Sequence, residues 1–245
     1  MKILLASTPV INHQTEYNLQ TMLRYINESK GAADLILFGE SALQGFDSLC
    51  WDHKKDIRTA VTLQDSPIRT IRTAAAVNGI AVSFGFIERC HDDLYSSQIF
   101  IGASGEIRNV FHRVSIGWKE YTRTDAHYRE GMHFEKFLYQ GKSFATGLCG
   151  DLWNTERPEE INTLHADIVL WPVWCGYPAH EWNGTIKQEY AEQAALCGKN
   201  VLLVNPFCAD PEKKRQSCRR LYSFSKWRDP PRMSRRKPGY PADHR

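Results

Sequence analysis

Leu35-Ile-Leu-Phe38 is an unbroken apolar run closed by Gly39. A strand with apolar side chains on both faces has to be covered on both faces. Similar runs return at residues 80–86, in the stretch from Phe144 towards Cys149, at 168–171 before Pro172, and at 201–204. Residues 2–6 read as a first strand. Between these runs lie segments at helical period. From residue 14 to 29 the apolar positions Leu19, Met22, Leu23 and Ile26 share one face. Ser66-Pro67 reads as the N-cap and first-turn proline of a second helix, with Ile68, Ile71 and Ala75 as its inner stripe and Asn78-Gly79 as its end. Residues 157–164 and 184–197 read as two further helices. Residues 97–102 and 107–111 read as a hairpin around Ala103-Ser-Gly-Glu106. Such alternation predicts a layered α/β fold with covered sheets.

At 245 residues and 42% hydrophobic content the chain suits one soluble domain with a large core. No apolar run is long enough to span a bilayer. Met1-Lys-Ile-Leu-Leu-Ala leads straight into Ser-Thr-Pro, without a signal-peptide pattern, so a cytoplasmic location is expected. The seven cysteines are scattered and none forms a Cys-x-x-Cys pair. Free thiols are expected, with neither a disulfide framework nor a zinc cluster. Residues 211–245 hold 12 Lys/Arg against 3 Asp/Glu, within an overall balance of +3. The first 210 residues are therefore net acidic and the end of the chain strongly basic.

Two apolar runs end in chemistry. Leu35-Ile-Leu-Phe38-Gly39 delivers Glu40, and Phe144-Ala-Thr-Gly-Leu delivers Cys149, followed by Gly150 and Asp151. Loops at strand ends are where sites are built. A thiol there can act as a nucleophile if a base takes its proton and a donor holds the developing oxyanion. Glu40 can supply the base. Asp151 more readily orients the turn around Cys149 than joins the chemistry. Trp153, Trp171 and Trp174 can wall a pocket, although large aromatics are more often core. His112, His127 and His133 lack ligand spacing, so no metal is expected.

The order Glu40, a basic segment, then Cys149-Gly150-Asp151 with Arg157-Pro158-Glu159 resembles the carbon–nitrogen hydrolase (nitrilase) superfamily over roughly residues 1–207. The resemblance implies a four-layer α-β-β-α sandwich, dimerised through its outer helices, and a Glu–Lys–Cys triad in this chain order. It implies a thiol-dependent hydrolase of a non-peptide carbon–nitrogen bond in a small amide-like substrate, through a thioester acyl-enzyme and without cofactor. A catalytically silent member acting as a binding or assembly partner is the alternative. In Ile107-Arg-Asn-Val-Phe111-His112-Arg113, Arg113 stands where the family has its lysine. Either Arg113 fills that role or Lys119 reaches in. The family's second glutamate corresponds to Thr124 or Asp125, with Glu120 as the other choice. The expected catalytic set is therefore Glu40, Arg113, Cys149 and Glu120. The expected partners are the small substrate and a second copy of the chain; neither membrane nor nucleic acid is expected.

The hydrolase domain is expected to span residues 1–210. The family would continue with a small-residue turn and a last β-hairpin, whereas residues 211–245 are dominated by charge and proline. That composition predicts poor order and a missing hairpin. Three readings stay open for this tail. It is the product of a reading-frame shift near Lys214, a solvated basic tail, or a nucleic-acid contact using basic residues beside Tyr222, Phe224 and Trp227.

Overall fold

The computed structural model describes residues 1–153, 156–210 and 220–225. In chain order the elements are β1 (Ile3–Ala6), β2 (Pro9–Val10), α1 (Thr15–Glu28), β3 (Leu35–Phe38), α2 (His53–Asp56), α3 (Ser66–Asn78), β4 (Ala81–Cys90), β5 (Asp93–Ile101) and β6 (Ile107–His112). They continue with β7 (Lys136–Tyr139), β8 (Lys142–Thr146), α4 (Arg157–Thr163), β9 (Ile168–Pro172), α5 (Ala179–Glu181), α6 (Lys187–Cys197), β10 (Asn200–Asn205), β11 (Phe207–Cys208) and β12 (Arg220–Ser225).

Two five-stranded sheets carry the fold, one ordered β1-β3-β4-β5-β6 and the other β12-β10-β9-β8-β7. The alternation of side chains along each strand explains how they stack. On β3, Leu35 and Leu37 join Ala81 and Phe100 in a cluster with Tyr139, Phe144, Leu170, Leu202 and Val204 of the second sheet. The intervening Ile36 and Phe38 face the other way, into a cluster with Leu19, Met22 and Ile26 of α1 and Ile68, Ile71 and Ala75 of α3. The second sheet repeats the pattern. Val169, Trp171, Val201 and Leu203 pack under Ile161 of α4 and Tyr190, Ala194 and Cys197 of α6. The result is helix, sheet, sheet, helix: the four layers of the resembling family. Continuous apolar strands are required because each sheet is covered twice.

Several local expectations meet small corrections. The cap of α3 is Asp65 rather than Ser66, with Pro67 in the first turn and Gly79 left-handed at the C-terminus. The strand before Cys149 stops at Thr146, and Cys149 opens a 3-10 turn that runs to Trp153. β4 and β5 form a long antiparallel hairpin, and β7 pairs with β8 in a second; neither pairing was visible in the apolar pattern. Helix 184–197 is split between a π-helical turn, Trp182–Ile186, and α6. One piece of the basic tail also departs from expectation. Arg220–Ser225 runs antiparallel to β10 as an added strand of the second sheet. Leu221, Tyr222 and Phe224 are β-prone, and β10 would otherwise present an open row of backbone groups at this edge. The remaining tail, 211–219 and 226–245, lies outside the described residues, and so does the question of a frame shift. Among the described residues no helix is long and apolar enough to cross a membrane.

Close backbone approaches fix the end of β3. Gly85 of β4 donates its N–H to Gly39 O at 3.1 Å and accepts from Leu43 N at 3.2 Å. A methyl group on Gly85 would meet Ser41 N and lie 2.7 Å from Glu40 Cα, which is backbone with no freedom to swing aside. Gly85→Ala is expected to cost about 1–3 kcal/mol by overpacking. An unchanged midpoint in urea denaturation would show that the Glu40 turn has room to spare.

Candidate active site

Glu40, Arg113 and Cys149 leave strands β3, β6 and β8 on the same side of the sandwich. β3 and β4 are parallel, and two antiparallel pairings bring β6 back to the direction of β3, so Glu40 and Arg113 emerge together. Both chemistry-bearing turns pass through left-handed backbone. Ser41, just after Glu40, has φ 49°, and Cys149 itself has φ 43°. Non-glycine residues adopt this region at a cost of roughly 1–3 kcal/mol each. The cost at Cys149 is sustained by the bonds around it.

A buried ion pair joins the two strand ends of the first sheet. Arg113 Nη1 donates to Glu40 Oε1 at 2.8 Å, with Arg113 4% exposed and Glu40 0% exposed. Arg113 Nε donates to Ser115 Oγ at 3.0 Å. Among the described residues Nη2 has no hydrogen-bond partner, and it lies over Gly150, the residue after the cysteine. Ser96 Oγ approaches Glu40 Oε1 at 3.5 Å, whereas Oε2 is buried without a partner among the described residues. An unpaired buried carboxylate oxygen is expensive, and such exceptions call for a reason.

Asp151 ties this pair to the cysteine turn. Its Oδ1 accepts from the N–H groups of Val114 at 3.1 Å and Ser115 at 2.7 Å, and its Oδ2 accepts from Leu148 N at 2.8 Å. One buried carboxylate thereby holds the backbone after Arg113 and the backbone before Cys149. Burial pushes its pKa up to about 6, against the lowering influence of Arg113.

The cysteine is also fixed from the second sheet. Trp171 Nε1 donates to Cys149 O at 3.0 Å, and the Cys149 thiol points at Trp174 O, 3.8 Å from Sγ. Asn205, at the end of β10, secures the following residue by accepting from Cys175 N and donating to Cys175 O. Trp174 stacks on Phe46 with ring centroids 6.1 Å apart. Desolvation pushes the Cys149 thiol well above its ordinary range; the charge of Glu40 adds to this, and Arg113 only partly opposes it. The enclosed site thus disfavours the thiolate. Burial disfavours the charge on Arg113, but the carboxylates of Glu40 and Asp151 outweigh it, and the guanidinium is held protonated.

The structure therefore brings Glu40, Arg113 and Cys149 together and leaves the other expected residues elsewhere. Glu120 is exposed, its carbonyl capping a turn to Arg123 and Thr124, and its carboxylate stands outside the buried charges. A glutamate in a loop whose neighbours Tyr121 to Arg123 are all exposed has no strand to carry it inward. Lys119 does not substitute for Arg113. Its ammonium binds Tyr128 O and Glu130 Oε2, the latter at 3.0 Å, with Tyr121 OH on the other carboxylate oxygen. Asp125 pairs with His127 at the surface. Trp153 and Trp171 belong to the core around Tyr190, Trp171 also bonding Cys149 O, and Trp174 meets the thiol through its backbone carbonyl. Ser96 and Ser115 were not singled out in the sequence. A serine beside a charged residue carries no periodic or spacing signal.

The carbon–nitrogen hydrolase family matches residues 6–215. Among curated relatives, the cyanide hydratase of Alternaria brassicicola is 28% identical over 187 residues, covering 66% of this chain and 47% of that protein. An (R)-stereoselective amidase of Pseudomonas sp. is 26% identical over 170 residues, covering 69% and 59%. The chain spans about half the length of the cyanide hydratases it matches. A CN-hydrolase superfamily protein of Xanthomonas campestris, solved with an arsenic adduct in its active site, superposes with a TM-score of 0.68 at 18% identity, covering 89% of this chain and 79% of the other. A point mutant of the amidase of Nesterenkonia sp. AN1, solved with the acetamide moiety of fluoroacetamide added covalently at its active-site cysteine, gives 0.67 at 16% identity, covering 84% and 76%. These structures share the fold. With the family match running through all three strand ends that carry Glu40, Arg113 and Cys149, the chain belongs to the carbon–nitrogen hydrolase family.

Proposed function

We propose that the protein hydrolyses the carbon–nitrogen bond of a small amide-like substrate through a thioester on Cys149. The observation that carries this reading is the unpartnered Oε2 of buried Glu40, held beside a desolvated thiol by the Arg113 pair. A neutral thiol is a weak nucleophile and needs a base during attack. As sulfur bonds to the carbonyl carbon, Glu40 takes the thiol proton and the carbonyl π electrons move to oxygen. The Arg113 guanidinium, with Nη2 unengaged among the described residues, faces that developing charge. Collapse expels the amine, which takes the proton from Glu40. Water then attacks the thioester, Glu40 receives its proton, and the thiol is restored. Arg113 keeps its protons throughout, because a guanidinium does not give one up at ordinary pH.

Incubation with a panel of small amides, followed by intact-mass analysis, tests this directly. Wild type is expected to show a transient acyl adduct that Cys149→Ala lacks. Glu40→Gln should form it about 100-fold or more slowly, the usual scale of a lost general base. If no amide gives an adduct and iodoacetamide labels Cys149 no faster than the exposed Cys50, the protein is a silent family member.

Asp151 gives the activity an acid limb. As pH falls through about 6 its carboxylate takes a proton, and the three N–H groups lose their anionic acceptor. Because its folded-state pKa lies above the ordinary 3.8, the folded protein binds this proton more readily than the unfolded chain does. Its protonation therefore favours the fold, and stability from this group is lost as pH rises from 3.8 to about 6. Loss of activity near pH 6 would thus report the site and not unfolding by this residue. Asp151→Asn is expected to remove the limb and to leave turnover low at all pH values, and to destabilise the protein by about 1–3 kcal/mol. An acid limb that persists in that variant would assign it to another group.

A further inference from the structure

The guanidinium of Arg113 is fitted on three sides. Ser115 Oγ receives Nε–H at 3.0 Å, and Glu40 Oε1 receives Nη1–H at 2.8 Å. On the third side lies Gly150. A methyl group built there would stand 2.5 Å from Arg113 Nη2 and 3.4 Å from Ser115 Oγ. The first distance is closer than packed atoms tolerate. The end of a long side chain can usually swing away from such a contact, but this one is pinned at two nitrogens and is 4% exposed. Gly150 has no left-handed backbone to account for its lack of a side chain. The space that a side chain would take is the space that Nη2 occupies.

A lysine could not make these contacts. An ammonium is a single point of charge with rotatable donors, whereas the planar guanidinium spreads its N–H groups in a rigid fork. One nitrogen can sit at Glu40 or near Ser115, but it cannot also lie over Gly150 beside the cysteine. We propose that Gly150 and Ser115 are positioning residues that form a cradle for a guanidinium, so that arginine is the working cation of this site and lysine cannot replace it. Ser115 sets the plane of the fork through Nε, and Gly150 leaves Nη2 open towards the carbon attacked by Cys149. The proposal rests on the hydrolase reading for its catalytic consequence, but the packing it describes stands apart from turnover.

A double-mutant cycle tests it, using Arg113→Lys, Gly150→Ala and the two combined, with Ser115→Ala alongside. The cycle is read by thermal melting without substrate and by kcat and KM on an amide that wild type hydrolyses. The added methyl of Gly150→Ala is expected to lower the melting temperature when Arg113 is present. It should have little effect in the Arg113→Lys background, where Nη2 is gone. Each single substitution should lower kcat by about tenfold or more, and the double variant should be no slower than the slower single, the non-additivity of residues that act as one unit. Ser115→Ala should lower kcat with KM nearly unchanged. Effects that add independently in melting, or an Arg113→Lys protein as active as wild type, would overturn the cradle. Failure of wild type to form any acyl adduct would instead sink the hydrolase reading, while the melting cycle would still decide the cradle.

Discussion

The buried pair of Arg113 and Glu40 is the interaction on which the rest of the site depends. It joins the ends of β3 and β6, and both partners are cut off from water. Taking two charges into a low-dielectric interior costs more than their attraction returns unless the geometry is good and the remaining polar groups are met. Here the guanidinium is met by Glu40 and Ser115, and Asp151 Oδ1 lies 4.0 Å from Nε. The carboxylate of Glu40 is met on one oxygen only. Among the described residues each partner thus keeps one polar atom unengaged, Nη2 on the arginine and Oε2 on the glutamate. A purely structural ion pair gains nothing from leaving these two atoms unmet.

Geometry at the cysteine is held by the two sheets together. The first sheet contributes Asp151's partners, the N–H groups of Val114 and Ser115. The second contributes Trp171, Trp174 and, through Cys175, Asn205. The left-handed Cys149 sits between these sets of bonds. Strain in one residue persists only when its surroundings over-determine it. The sandwich supplies that over-determination because the strand ends of both layers open on the same side. The layering is itself a consequence of strands such as Leu35–Phe38, whose alternate residues must be buried in two different cores.

The sandwich and the candidate residues Glu40 and Cys149 were legible in the chain because each left a strong local mark, whereas Arg113 was reached only through the family resemblance. Residues 35–38 and 201–204 are apolar without interruption, and Glu40 and Cys149 follow such runs directly. What escaped was set by pairing between distant segments. The extension of β4 through Glu88, Arg89 and Cys90 depends on its antiparallel partner β5, since those residues have no apolar pattern of their own. β12 likewise reads as part of a basic tail until β10 offers it an edge. Spacing from the motif pointed to Thr124 or Asp125, with Glu120 as the other nearby acid, and position along a loop does not fix burial. Asp151 could be placed at the turn, but its hold on Val114 and Ser115 joins segments 36 and 37 residues apart and leaves no trace in either.

Charge balance explains why the site disfavours a thiolate at Cys149. Two carboxylates and one guanidinium share the buried space around Cys149. A thiolate would be a third negative group against a single positive one, and this is why burial and Glu40 together outweigh Arg113. Under the proposed hydrolysis the thiol proton would therefore pass to Glu40 during attack and not to solvent beforehand. That transfer cancels one negative charge as another develops on the substrate, so the net charge of the enclosed site stays constant during attack. A lysine in place of Arg113 could shed a proton and upset this balance, whereas an arginine cannot. With the cation fixed, proton movement in the site is confined to the sulfur, Glu40 and the substrate nitrogen. In the proposed hydrolysis Glu40 would then serve as base in the first half of the reaction and as acid in its collapse.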